Sequence, residues 1–114
     1  MFKTNLTEEQ VTERVRQMAT KPVNRPELDG FINSLEYGAP LHYVLTAFRA
    51  KLDGHTVNES TALDAAFRIS ESVIEAAEAE VANGERTQHN RLSVRYLGRA
   101  IYHLSGDADA ELKS

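Results

Sequence analysis

The sequence predicts an all-α fold: a single-domain bundle of about five helices, with a long fourth helix forming an antiparallel hairpin with the fifth. Three observations predict it. Apolar residues recur at helical spacing along most of the 114-residue chain. Glycine and proline, which break helices, fall almost entirely between those stretches. No stretch alternates at period two, as a half-buried strand does. On this reading residues 1–6 are an N-terminal arm, 7–104 the helical domain and 105–114 a C-terminal tail.

The first helix opens at Thr7, where Thr7 and Gln10 have the spacing of a capping box and Leu6 and Val11 that of a hydrophobic staple. Val11, Val15 and Met18 mark a thin apolar stripe, and Pro22 bars continuation beyond about Thr20. The second helix starts near Asn24, with Pro26 in its first turn, where a missing amide costs little. Leu28, Phe31, Ile32 and Leu35 give it an amphipathic face, and Gly38 is the expected left-handed stop. The third begins at Pro40, with Leu41, Val44, Leu45, Phe48 and Leu52 on one side, and stops at Gly54.

The fourth helix spans about Val57 to Ala82, with Thr56 and Glu59 as a capping box. Leu63, Phe67, Ser70, Ile74, Ala77 and Val81 alternate steps of four and three, a coiled-coil-like seam. Ile69, Val73 and several alanines widen the apolar arc to roughly 200°, about twice the usual stripe. The fifth runs from about Gln88 to Leu104, with Val94, Leu97, Ile101 and Leu104 as its seam.

Arg91, Arg95, Arg99 and His103 form a cationic stripe on the fifth helix. If the fourth and fifth helices fold back around Gly84-Glu85, Glu71 faces Arg99, Glu75 faces Arg95 and Glu78 faces Arg91. The reading adopted is therefore intrachain pairing rather than a ligand site, with the pairs setting register and adding only ~0–1 kcal/mol each.

Composition narrows the function. Seventeen acidic residues against thirteen basic give a net charge of −4, which argues against a dedicated nucleic-acid coat. The absence of cysteine removes thiolate metal sites and cysteine nucleophiles. No apolar run approaches the ~20 residues of a membrane span, and Met1 to Asn5 lacks the apolar stretch of a signal peptide, so a cytoplasmic protein is expected. His42, His55, His89 and His103 lack metal-ligand spacing, and there is no phosphate-binding glycine loop or nucleophile elbow. Ser70 and Ser72 lie within a helix without a base nearby in sequence, and Glu78 and Glu80 fit a solvated face. No catalytic residue, metal or cofactor is expected, and the protein is read as non-enzymatic.

The segment Leu28 to Leu52 has the spacing of a helix-turn-helix, with Gly38 at the turn. Its outward positions would include Leu41, His42, Leu45, Thr46 and Arg49. Two leucines and one arginine suit base reading and phosphate neutralisation poorly. A DNA-binding transcriptional regulator is therefore the alternative reading. The stretch Leu35 to Leu41 resembles one in small bacterial and phage proteins, over seven residues and with no function to carry over.

The wide apolar arc is more than the remaining helices of so short a chain can cover, so self-association is expected, through Leu63, Phe67, Ile69, Val73 and Ile74. The leading reading is a small helical adaptor, anti-activator or inhibitor that binds a larger protein as a homodimer. Its partner surface is expected at Tyr37, Leu41, His42, Tyr43 and Leu45, since tyrosines offer much contact area with few rotors.

Overall fold

The computed structural model describes residues 9, 10, 13, 14, 17 and 22–106. Among them the protein is all-α, with four helices and no strand: α1 (Arg25–Ser34), α2 (Pro40–Leu52), α3 (Glu59–Ala82) and α4 (Gln88–Leu104). These are the second to fifth helices expected from sequence. Of the expected first helix, residues 9, 10, 13, 14 and 17 are helical. Its cap at Thr7, its staple and its stripe of Val11, Val15 and Met18 lie outside the described residues, as does the tail from Asp107 onward.

Local chemistry sets most boundaries. The Asn24 side chain accepts the Glu27 amide at 3.1 Å, which caps α1 as expected. The helix stops at Ser34, short of Gly38. There the Ser34 hydroxyl donates to the Phe31 carbonyl at 2.7 Å, a local bond that competes with continuation of the helix. Leu35 is already extended, and Gly38, at φ +89°, serves the turn into α2 instead. For α3 the cap is Asn58, which accepts the Thr61 amide at 3.0 Å, rather than Thr56. Thr87 accepts the Asn90 amide at 3.2 Å and starts α4 where the sequence placed it.

The core joins all four helices. Leu28, Phe31 and Ile32 of α1 meet Val44, Leu45 and Phe48 of α2 and Leu92, Tyr96, Leu97, Ala100, Ile101 and Leu104 of α4. The surprise lies in α3. Its enclosed positions are Ala62, Ala66 and Ser70, followed by Ile74, a row at intervals of four. Small side chains let a helix axis approach its neighbours closely, and the Ser70 hydroxyl is satisfied by the Ala66 carbonyl at 2.7 Å. The bulkier residues of the expected seam flank this row. At about 100° per residue, Leu63 and Phe67 fall to one side and Ile69 and Val73 lean to the other. All four are partly buried against the core.

The charge pairing expected within the α3–α4 hairpin is not what holds Arg95 and Glu78. Arg95 turns to α1 and donates to Glu27 at 2.8 Å, and Glu78 pairs with Arg14. Long arginine side chains reach past their nearest carboxylate when a better-enclosed one is available. The antiparallel register itself is close to the expected one beside the turn: Ala77 and Val94 line the same cleft, and Glu80 lies against Thr87.

At the opposite end of the bundle Lys51 joins three helices. Its amine donates to the His103 carbonyl in the last turn of α4 at 2.5 Å and pairs with Glu59, the first residue of α3, at 3.2 Å.

Candidate functional site

The expected partner surface is built by the turn between α1 and α2. Gly38 lets the chain reverse, and Pro40 opens α2 one residue after Ala39, which has no side-chain cap to offer. The consequence is that Tyr37 sits at the apex with 91% of its surface exposed. Its ring lies 5.3 Å from that of His42 at an interplanar angle of 58°, so the first turn of α2 props the aromatic apex. Tyr43 is 43% exposed, and Leu41 and His42 are half-buried beside it. Leu45 is different. It is wholly enclosed, with 0% exposure, and belongs to the core. Four of the five expected residues therefore make a surface, and the fifth supports it from beneath.

The same geometry bears on the helix-turn-helix reading. Arg49, the one arginine among its outward positions, lies 3.4 Å from Asp29 of α1. The Thr46 hydroxyl is enclosed without a hydrogen-bond partner. With Leu45 buried as well, α2 keeps few groups for base edges or phosphates. The basic stripe of α4 is dispersed too. Arg95 is held by Glu27 and by the Pro22 carbonyl at 2.9 Å. Arg99 lies over the Tyr102 ring at 5.2 Å, and the His103 ring packs 5.2 Å from Phe48.

A polar knot fixes α1 to α4. The Glu27 carboxylate accepts from the Tyr96 hydroxyl at 2.6 Å and from Arg95 at 2.8 Å, while the Arg95 guanidinium also lies 5.0 Å above the Tyr96 ring. Burial, and then the hydrogen bond to Glu27, push the Tyr96 phenol up to about 12. Sequence reasoning missed this knot. The available signal, Glu27 three residues after the helix start at Asn24, marks a carboxylate in the first turn and not its partners on α4. A second ion pair, Arg25 to Asp53 at 2.6 Å, ties the start of α1 to the end of α2 and holds the Asp53 carboxyl below its ordinary range.

The residues expected at a dimer interface are not brought onto one strip. Ile74 is buried within the chain, while Leu63 and Phe67 lie on the other flank of the Ala62–Ala66–Ser70 row from Ile69. Among the described residues no group of three or more His, Asp or Glu is placed to hold a metal ion. No described helix is long and apolar enough to cross a membrane. Comparison with known protein families, curated proteins and solved structures finds no match to this chain.

Proposed function

We propose that the protein is a small regulator that acts by binding a larger protein, docking through the α1–α2 corner, and that it works as a homodimer. One observation carries the reading: a tyrosine held almost fully in solvent at the apex of a turn, propped by a histidine ring and edged by Tyr43 and Leu41. Exposed aromatics set on a rigid corner are the residue types that anchor interfaces, because little rotamer freedom is lost on binding. The committed state of Arg49 favours a protein partner over a DNA duplex. For the dimer, Leu63 and Phe67 supply a half-buried apolar flank that a second copy would cover.

A photo-crosslinking amino acid at position 37 tests the docking surface in the native host. One dominant covalent partner is expected, lost on Tyr43→Asp while the circular dichroism spectrum stays helical. A crosslinking pattern no different from that of a probe at exposed Ser60 overturns it. Light scattering during size exclusion tests the dimer: twice 12.7 kDa is expected at micromolar concentration, falling to one copy with Phe67→Glu. A monomeric wild-type chain removes the homodimer from the proposal.

A further inference from the structure

A second surface lies about the α3–α4 turn, away from the corner. The last turns of α3 and the first of α4 diverge enough to open a cleft of about 170 Å³ lined by Ala77, Glu80, Val81, Arg86, Arg91 and Val94, with Thr87 at its edge. A neighbouring cleft shares Ala77 and Val94 and continues to Ile74, Arg14 and Gln17. Together they form a groove with an apolar floor, and Val81 on its rim is 54% exposed. Val81 thus offers exposed contact area beside apolar volume that no described residue fills.

The charges around the groove are unequal in what they have left to give. Glu78 is spent on Arg14. Glu80 is oriented toward α4: it accepts the Thr87 amide at 3.4 Å, and the Asn90 side chain and Thr87 together hold its carboxyl below the ordinary range, so it stays charged. Arg86 and Arg91 both line the mouth, both are exposed, and neither has a carboxylate partner among the described residues. Among the described residues lining the cleft, two arginines stand against the single carboxylate of Glu80, so its charge is net positive on a protein that is acidic overall.

We propose that this groove binds an acidic amphipathic helix of a partner protein, one that seats aliphatic side chains on Ala77, Val81 and Val94 and sets a carboxylate against Arg86 and Arg91. Shape favours a helix over a small molecule. Ligand pockets enclose most of their ligand, whereas these two clefts, about 170 and 370 Å³, adjoin as a furrow open to solvent. An amphipathic helix offers such anchors at successive turns, and arginines at the rim select the sign of its polar face. The groove does not depend on the Tyr37 corner, so either surface stands if the other fails.

Fluorescence anisotropy with the full chain tests it. The probe is a labelled peptide of roughly 18 residues, long enough for five helical turns, with leucine along one face and glutamate elsewhere. Its counterpart carries lysine in place of glutamate. The glutamate peptide is expected to bind at least about tenfold more tightly than the lysine peptide. Arg86→Glu with Arg91→Glu should reverse that preference, and Val81→Asp should weaken the glutamate peptide by about fivefold or more. All three substitutions are at exposed positions, so folding is preserved, and circular dichroism checks it. Tyr37→Asp should change nothing. Equal affinity for the two peptides, no binding of the glutamate peptide up to about 1 mM, a preference unmoved by charge reversal, or loss of binding on Tyr37→Asp would each overturn the proposal.

Discussion

Replacing Glu27 with alanine removes the acceptor at the centre of the α1–α4 knot. The Tyr96 hydroxyl, fully enclosed, loses a 2.6 Å bond to a charged oxygen. A hydrogen bond to an ionised group contributes about 1.5–3 kcal/mol. The Asn24 carbonyl, at 3.4 Å, stands ready as a poorer substitute, which draws the loss toward the lower end. Arg95 loses its ion pair but keeps the Pro22 carbonyl, and a partly exposed pair adds only about 0–1 kcal/mol. The total is about 1.5–3 kcal/mol, a sizeable share of the ~5–15 kcal/mol that holds a domain together. Tyr96→Phe alone should cost about 1–2 kcal/mol, since Glu27 retains Arg95. In the double variant the hydroxyl has no bond left to lose, so the combined loss should fall short of the sum by about 1–2 kcal/mol. Urea denaturation followed by circular dichroism measures all four corners of the cycle. Strict additivity, or a Glu27→Ala loss within about 0.5 kcal/mol, would show that the carboxylate does not organise the knot.

Three further outcomes follow from the packing and the titration. Ala66→Leu, which forces a larger side chain where α3 meets its neighbours, should destabilise by about 1–3 kcal/mol, while the same change at exposed Ala76 should be nearly silent in thermal melts. Gly38→Ala should cost about 1 kcal/mol or more, because φ is +89° there although the space around it is open; an unchanged melting temperature would count against the left-handed turn. Tyr96 makes the fold sensitive to alkali. Its proton is held more tightly in the folded chain than in the unfolded one, so its contribution is intact below about 10, the ordinary value, and is lost as pH rises through about 12. Stability measured from pH 9 to 12 should fall less steeply in Tyr96→Phe than in the wild type.

The helix boundaries were legible where a side chain acts on its own backbone. Asn24 before Pro26, Pro40 after Gly38 and Gly54 at the end of α2 mark local events, and local events can be read without knowing what lies across the core. The face of α3 was not legible in the same way. Ranking by apolarity picks Leu63, Phe67 and Val73, but the contact with α2 and α4 is decided by how near the backbones come. That favours Ala62, Ala66 and Ser70, and their spacing of four was visible as a run of small residues. The charges misled for a related reason. Glu75 and Arg95 have matching register, yet a guanidinium on a long stem chooses among all carboxylates in reach, and Glu27 lies 68 residues away in sequence. At the corner, exposure of Tyr37 followed from the glycine turn, whereas burial of Leu45 depended on the core that the other helices build against α2. The groove beside Val81 was hidden because a wheel shows which residues are apolar and not where two helices part.

Lys51 gives the far end of the bundle its own logic. One ammonium clasps the close of α4 and the opening of α3 while rooted in α2, so these termini are latched by a shared bolt. Fraying there is then a concerted event. Whatever neutralises that single amine, acetylation included, would loosen both ends at once.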